Sequence, residues 1–338
     1  MGSEIGIGIV GYGGFGTQHG LAIAAVDGVN LTAVCRTDRA VLAQAATQLG
    51  VHGYADYRRL IEDSQVAAIC VATPHHLHTP VVLAAAAAGK PVLLEKPMAP
   101  TLEECDQMNT ACDSAGVVLM LAHVNHYYRP YAMAKPLIQS GELGDYVSGS
   151  AVQVKQWGFA KRAPWHLDRA LGGGMWLTGG VHCIDRLTWL VGRPIVRVSA
   201  RFQAAFHDQH ADDFGLAMLY YEGGATGLIS SIGYAQGVPD HHSTLTFTGG
   251  QLRLERIEGA FIGRGERWER IPDSSTQEFR QDGLRAQWRD FRDAVRGEIA
   301  NPVTGDFARH IMAACFAAEE SSRRDQDVEV AAPQVTSW

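Results

Sequence analysis

The sequence predicts an α/β fold in two parts: an N-terminal parallel sheet, then a C-terminal α/β domain with an open, mostly antiparallel sheet. Three observations predict it. Strand-like and helix-like stretches alternate from residue 5 to 123, the pattern of βαβ units with right-handed crossovers. A glycine-rich turn joins the first strand to the first helix. Past residue 195, successive strand-like runs are separated by Gly-Gly pairs, the signature of hairpins. With 338 residues the chain exceeds the roughly 250–300 at which single cores stop growing, so two domains are expected, residues 1–125 and 126–338.

Ile5, Ile7, Ile9 and Val10 form a β-branched run ending at Gly11. Gly11-Tyr12-Gly13-Gly14-Phe15-Gly16 follows, and Thr17–Val26 reads as a helix. This is G-x-G-x-x-G in its strand–turn–helix context, the mark of a dinucleotide-binding Rossmann domain. Gly11 permits the tight turn. Gly13 lets backbone approach a pyrophosphate at the helix N-terminus, where free N–H groups and the dipole favour an anion. Gly16 lets helix pack on strand, and Gly14 and Phe15 complete the cofactor loop.

The second strand, Leu31–Cys35, ends at Arg36, twenty positions past Gly16. A carboxylate there binds a ribose 2′-OH, whereas an arginine pairs with a 2′-phosphate. Arg36 thus favours NADP over NAD. The alternative is a solvated Arg36, with Asp38 only capping the helix Arg39–Leu49. After a short helix, Tyr57–Glu62, the apolar strand Val66–Thr73 leads into Thr73-Pro74-His75-His76-Leu77-His78, at the carboxyl edge where such sheets bind ligands. Thr73, Pro74 and His78 are expected to flank the cofactor. The three histidines have neither helical spacing nor an acidic partner, so no metal site is expected. A helix, Thr79–Ala88, precedes the strand Pro91–Glu95. Glu95 and Lys96 at its end join the cofactor contacts. Thr101-Leu102-Glu103-Glu104 is a capping box opening the helix to Ala115, and Val117–His123 is a fifth strand.

Asn125, His126 and Tyr128 leave this strand and are expected to line a substrate cleft between domains, where binding sites concentrate. A helix at Tyr131–Ser140 and a strand at Val147–Trp157 follow. Gly172-Gly173-Gly174 introduces a helix from Met175 to Leu190, on which Thr178, His182 and Asp185 share one face at i, i+4, i+7. Strands are expected at 195–206, 214–221, 225–232, 243–248 and 251–257, with turns at Gly223-Gly224 and Gly249-Gly250, then helices at 284–296 and 306–323.

Composition narrows the function. Hydrophobic residues are 46% and charged residues 19%, ordinary for a globular chain. A net charge of -7 without a basic block argues against nucleic acid. Six scattered cysteines with no C-x-x-C pair read as buried thiols in a reducing compartment. The longest apolar run, Pro80–Gly89, is too short for a bilayer, and no signal-peptide pattern opens the chain, so a cytoplasmic protein is expected.

The combined motifs are more specific. Ala72–His78, Ala88-Gly89-Lys90-Pro91-Val92 leading into Glu95-Lys96-Pro97, then Trp165-His166-Leu167-Asp168, Gly172–Gly174 and Gly180–Asp185 resemble the glucose–fructose oxidoreductase / inositol dehydrogenase / MocA family across nearly the whole chain. The resemblance implies an NAD(P)-dependent dehydrogenase or ketoreductase acting on a carbinol of a sugar, polyol or cyclitol. It implies that Lys96, with a cis peptide to Pro97, contacts the reacting oxygen and that His182 transfers the proton. Trp165 and Thr178 join Asn125, His126, Tyr128 and Asp185 as substrate contacts, Thr178 standing where the family usually has aspartate. It also implies a homodimer or homotetramer built on the outer face of the second sheet. The chemistry agrees independently: removing a hydride from an alcohol requires removing its proton, and a lysine beside an oxidised nicotinamide loses its charge more readily. Threonine cannot hold the negative charge that would raise a histidine pKa. Competing readings are a glycosidase that oxidises its substrate only transiently, a dihydrodiol dehydrogenase suggested by Tyr127, Tyr128, Trp157, Trp165 and Trp176, and a non-catalytic ligand sensor.

Overall fold

The computed structural model describes residues 4–157 and 162–332. Two compact units emerge: the residues up to Val124 together with Arg280–Ala308, and Asn125–Phe279 together with the residues from Arg309 on.

The first unit alternates β1 (Ile5–Val10), α1 (Gly14–Ile23), β2 (Val29–Cys35), α2 (Arg39–Leu49), β3 (His52–Tyr54), α3 (Tyr57–Glu62), β4 (Ala68–Val71), α4 (His78–Ala87), β5 (Val92–Leu94), α5 (Leu102–Ala115) and β6 (Leu119–Leu121). The strands lie in the order β3-β2-β1-β4-β5-β6, all parallel. The order reverses at β1 and β4, the switch point outside whose carboxyl ends doubly wound sheets bind ligands. β1 is buried along its whole length, as a strand covered on both faces must be. Its glycines allow that cover: a Cβ on Gly8 would lie 2.5 Å from Leu60 Cδ2. The edge strand β3 is absent from the sequence expectation, because His-Gly-Tyr is too short and too polar to show a period. The expected caps form. Asp38 accepts from the N–H groups of Ala40 and Val41 and opens α2, and Thr101 accepts from Glu104 N–H and opens α5.

The second unit carries α6 (Arg129–Gln139), β7 (Tyr146–Gln156), α7 (Val181–Val191), β8 (Ile195–Gln203), β9 (Phe214–Tyr221), β10 (Thr226–Tyr234), β11 (Asp240–Phe247), β12 (Gly250–Glu255), β13 (Gly259–Arg264) and β14 (Arg267–Arg270). After α8 (Phe279–Val295) and α9 (Gly305–Arg324), β15 (Val328–Glu329) completes a nine-stranded sheet in the order β14-β13-β12-β11-β7-β10-β9-β8-β15. Every neighbouring pair is antiparallel except β10 with β7. The sheet is therefore mostly antiparallel but not a plain meander, since the first strand of the unit is inserted between β10 and β11. β13, β14 and β15 escape the sequence reading; β14, Arg-Trp-Glu-Arg, is exposed throughout and shows no buried face. Gly223 and Gly224 both have positive φ, as a tight hairpin requires.

The helix expected from Met175 is two pieces. Trp176–Gly180 is a π turn, and α7 starts at Val181. Within this turn Trp176 is fully buried, and a Cβ on Gly180 would stand 2.8 Å from its indole Cδ2, so the ring packs there only over a glycine. Single π turns inside helices recur at functional sites.

Arg280–Ala308, which the sequence reading assigns to the second domain, packs into the first unit. Leu284, Trp288 and Phe291 of α8 are fully buried. Leu121 N–H donates to the Val303 carbonyl (3.0 Å), and Asn301 Nδ2 donates to the Leu119 carbonyl (2.8 Å). No local pattern marks this return, because an amphipathic helix does not specify which sheet it covers. Among the described residues no helix is long and apolar enough to cross a membrane.

Candidate active site

In the first unit the glycine turn leaves β1 and closes against β2: the N–H groups of Gly11 and Tyr12 both donate to the Cys35 carbonyl (3.0 Å each). Gly11 has φ +94°, and a Cβ there would lie 2.5 Å from the Ala72 carbonyl, so only glycine fits. Gly16 packs α1 onto the turn; its Cβ would run into the Gly11 carbonyl. Gly13 and Gly14 differ in kind. A Cβ on either would meet nothing within 4 Å. Gly13 is the N-cap of α1, and no side chain caps that terminus. The N–H groups of the first turn have no intrahelical partners, and the N-cap Gly13 just before them lines a cleft of about 420 Å³.

Gly11, Gly13, Arg36, Thr73 and Pro74 line that cleft. So do Tyr12, Asp56, Tyr57 and Leu77, which sequence reasoning did not single out. Asp56 and Tyr57 sit just past β3, the strand too short to be read. Arg36 Nη1 donates to the Tyr12 carbonyl (3.2 Å), which aims the guanidinium at the glycine turn. Burial, and then the Asp56 carboxylate, push the Cys35 thiol up to about 11, so it stays protonated in the cleft wall. Phe15, at the start of α1, is 37% exposed and stands edge-on to His19, ring centroids 5.7 Å apart.

Two expected cofactor contacts lie elsewhere. His78 is fully buried: Nδ1 sits 3.1 Å from the carbonyls of both Pro97 and Met98, and Nε2 sits 3.1 Å from that of Thr73. It braces the Thr73–Pro74 loop against the Lys96 turn from beneath, and burial pushes its pKa down. Glu95 is buried as well. One carboxylate oxygen is 2.9 Å from His19 Nε2, and the other accepts from Lys96 N–H (3.2 Å). Lys96 is half-buried just past the end of β5, and its peptide to Pro97 is cis.

In the second unit, Thr178 and His182 are half-buried in a stretch whose other members from Gly172 to Thr188 are buried. The π turn and the first turn of α7 thus present these two together. Asp185 does not join them. It is fully buried, with Oδ1 2.8 Å from His126 Nε2. The His126 ring stacks on Trp189 at 4.2 Å and 8°. Lys135 of α6 donates to the Trp189 carbonyl, and burial lowers its pKa to about 8. His126 and Asp185, expected as substrate contacts, therefore form a buried clasp between the start of this unit and α7. Three residues past His182 on the regular helix α7, Asp185 points about 60° aside from it, into the buried side. Asn125 and Tyr128 are buried too, Tyr128 standing edge-on to Phe279 at 5.2 Å. Trp165 is half-buried and stacked on His166 at 3.7 Å.

Comparison with known proteins matches both halves of the chain. Residues 5–123 match the family described as "Oxidoreductase family, NAD-binding Rossmann fold". Residues 131–253 match the GFO/IDH/MocA C-terminal domain. Levoglucosan dehydrogenase from Pseudarthrobacter phenanthrenivorans is 30% identical over 201 residues, which are 56% of this chain and 52% of that enzyme. The matched stretch thus spans about half of that relative. The scyllo-inositol 2-dehydrogenase (NAD(+)) of Bacillus subtilis is 24% identical over 340 residues, covering 98% of this chain and 97% of its own. Among solved structures, GenD2 from gentamicin A biosynthesis, in complex with NAD, superposes with a TM-score of 0.87 at 25% identity, covering 98% of each chain.

Proposed function

Because the chain belongs to the GFO/IDH/MocA oxidoreductase family, we propose that it transfers a hydride between a nicotinamide dinucleotide and a carbinol or ketone of a sugar, polyol or cyclitol. One observation carries the reading: the uncapped N-terminus of α1, with glycines whose Cβ positions are empty, opens on the cleft at the switch point of the sheet. That geometry suits a pyrophosphate, which needs backbone N–H groups at close range and no side chain in the way. Gly13, Gly14 and the first turn of α1 would hold the phosphates, and Thr73 and Pro74 would flank them. Bound there, the dinucleotide supplies the hydride acceptor or donor. Arg36 at the end of β2 favours NADP, since its guanidinium complements a 2′-phosphate.

The chain's own residues handle the proton. Lys96 hydrogen-bonds the reacting oxygen and His182 takes or returns its proton, a contribution typically worth about 10²–10⁴-fold. Thr178, one π turn before His182, orients the substrate hydroxyl but carries no charge with which to tune the imidazole. The exposed apolar residues Leu216 and Met218 of β9 and Leu228 of β10 support an assembly into a homodimer or homotetramer through the outer face of the second sheet. A panel of sugars, polyols and cyclitols, scored by nicotinamide absorbance with NAD and NADP in turn, tests the reading. The expected result is a net absorbance change with at least one substrate; a chain that binds neither dinucleotide would overturn it.

A further inference from the structure

A buried hydrogen-bond chain runs across the first unit through three side chains that lie far apart in sequence. Trp288 of α8 places its indole Nε1 3.1 Å from His19 Nδ1. His19 of α1 places Nε2 2.9 Å from Glu95 Oε1. Glu95, at the end of β5, accepts from the Lys96 backbone N–H with its other oxygen, at 3.2 Å. Trp288 and His19 are fully buried and Glu95 is nearly so. The rings of His19 and Trp288 stand edge to face at 5.7 Å and 88°, which holds the imidazole plane.

The chemistry of the donors assigns every proton. An indole N–H can only donate, so His19 Nδ1 must be the acceptor. The single proton of a neutral imidazole then sits on Nε2 and points at Glu95. The carboxylate meets two donors, His19 Nε2–H and Lys96 N–H, one on each oxygen. Only a group with two acceptor oxygens satisfies both; an amide at position 95 would turn its NH2 toward one of them. The same carboxylate acts on Cys70 of β4 and His78 of α4, raising the pKa of each against or alongside burial.

We propose that His19 and Trp288 are positioning residues for the Lys96 turn: the indole fixes the His19 tautomer, and His19 holds the Glu95 carboxylate that anchors Lys96. The inference rests on the reading of Lys96 as the group that contacts the reacting oxygen. It also explains why Arg280–Ala308 returns to the dinucleotide unit. The returning helix supplies the indole that closes the chain, and the helix of the glycine turn supplies its middle member. The phosphate loop and the lysine are thereby braced on one hydrogen-bonded rod.

Two substitutions at one site separate positioning from packing. In His19→Gln the amide nitrogen can occupy the place of Nε2 and still donate to Glu95. In His19→Asn the shorter amide reaches only the place of Nδ1, so the Glu95 contact is lost. The expected result is a kcat lowered by about 10–100-fold in His19→Asn, the size of a displaced catalytic group, with dinucleotide Kd within about 3-fold. His19→Gln should keep kcat within about 3-fold of wild type. Equal losses in both variants would reduce His19 to packing and overturn the proposal, as would a fully active His19→Asn. Lys96→Met serves as the control. If it is inactive while His19→Asn is active, only this inference falls; if Lys96→Met turns over normally, the reading of Lys96 falls with it. A second measurement needs neither substrate nor variant. The ring ¹⁵N shifts of His19 in the wild-type chain should report a proton on Nε2 and none on Nδ1. A proton on Nδ1 in the wild type would refute the chain of donors.

Discussion

Gly13→Ala separates a glycine kept for a ligand from one kept for the fold. A Cβ at position 13 meets no protein atom within 4 Å, and φ is −135°, a value any residue adopts. The added methyl group therefore leaves the packing intact and projects into the space over the uncapped α1 terminus. Alanine is a poorer N-cap than glycine by less than about 1 kcal/mol, so Tm should fall by no more than about 3 °C. The affinity should suffer far more. A hydrogen bond to a charged oxygen contributes about 1.5–3 kcal/mol, and losing one raises Kd by about 10–150-fold. Gly16→Ala is the counter-experiment. Its Cβ would meet the Gly11 carbonyl and lie 3.1 Å from the Gly11 carbonyl carbon, so α1 must lift off the turn. Such overpacking costs about 1–3 kcal/mol and should lower Tm by about 3–10 °C. Dinucleotide titration by fluorescence, with thermal melts of the same samples, reads both quantities. A Gly13→Ala chain with wild-type Kd would show that the helix terminus does not hold the phosphates.

Arg36→Asp should move the kcat/KM ratio for NADP over NAD downward by about 10²-fold or more, since one favourable charge contact is removed and a repulsive one added; a wild type that strongly prefers NAD would contradict the assignment of Arg36. His182→Ala should lower kcat by about 10²–10⁴-fold with the fold intact by circular dichroism, and near-normal turnover would remove His182 from the mechanism. Stability should fall in acid through His310. Its Nε2 accepts from Ile195 N–H at 3.0 Å, it also hydrogen-bonds the Ala331 backbone, and burial lowers its pKa from 6.5 to about 4. The folded pKa lies below the unfolded one, so this stability is complete above about pH 6.5 and is lost as pH falls toward 4. Denaturant melts across that window should show a shallower decline in His310→Gln, whose side-chain oxygen can still accept from Ile195; an identical decline would assign the acid sensitivity to other groups.

Most of the first unit is legible in the sequence because its signals are local. The glycine turn, the apolar strand of β4 and the capping residues Asp38 and Thr101 each follow from the chemistry of a few neighbouring residues. What escapes is non-local or too short. β3 and β14 lack enough residues for a period, and the return of Trp288 to the first unit depends on a sheet more than a hundred residues earlier. Asp185 shows the limit of helical spacing. Its place in the i, i+4, i+7 pattern puts it on the same broad face as His182, but three residues along a regular α-helix turn a side chain about 60° aside, and that offset carries Asp185 from the half-exposed strip into the buried side against His126. His78 misleads for a related reason, because a histidine at a strand's carboxyl edge can brace the loop from below as readily as line it from above.

The most direct test of the account is isotopic. A substrate found in the panel is labelled with deuterium at the carbinol carbon, and the reduced dinucleotide is recovered and weighed by mass spectrometry. Hydride transfer predicts one deuterium on the nicotinamide per turnover, with ketone and reduced dinucleotide formed in equal amounts. Turnover that leaves the dinucleotide unlabelled, or with no net reduction, would contradict it.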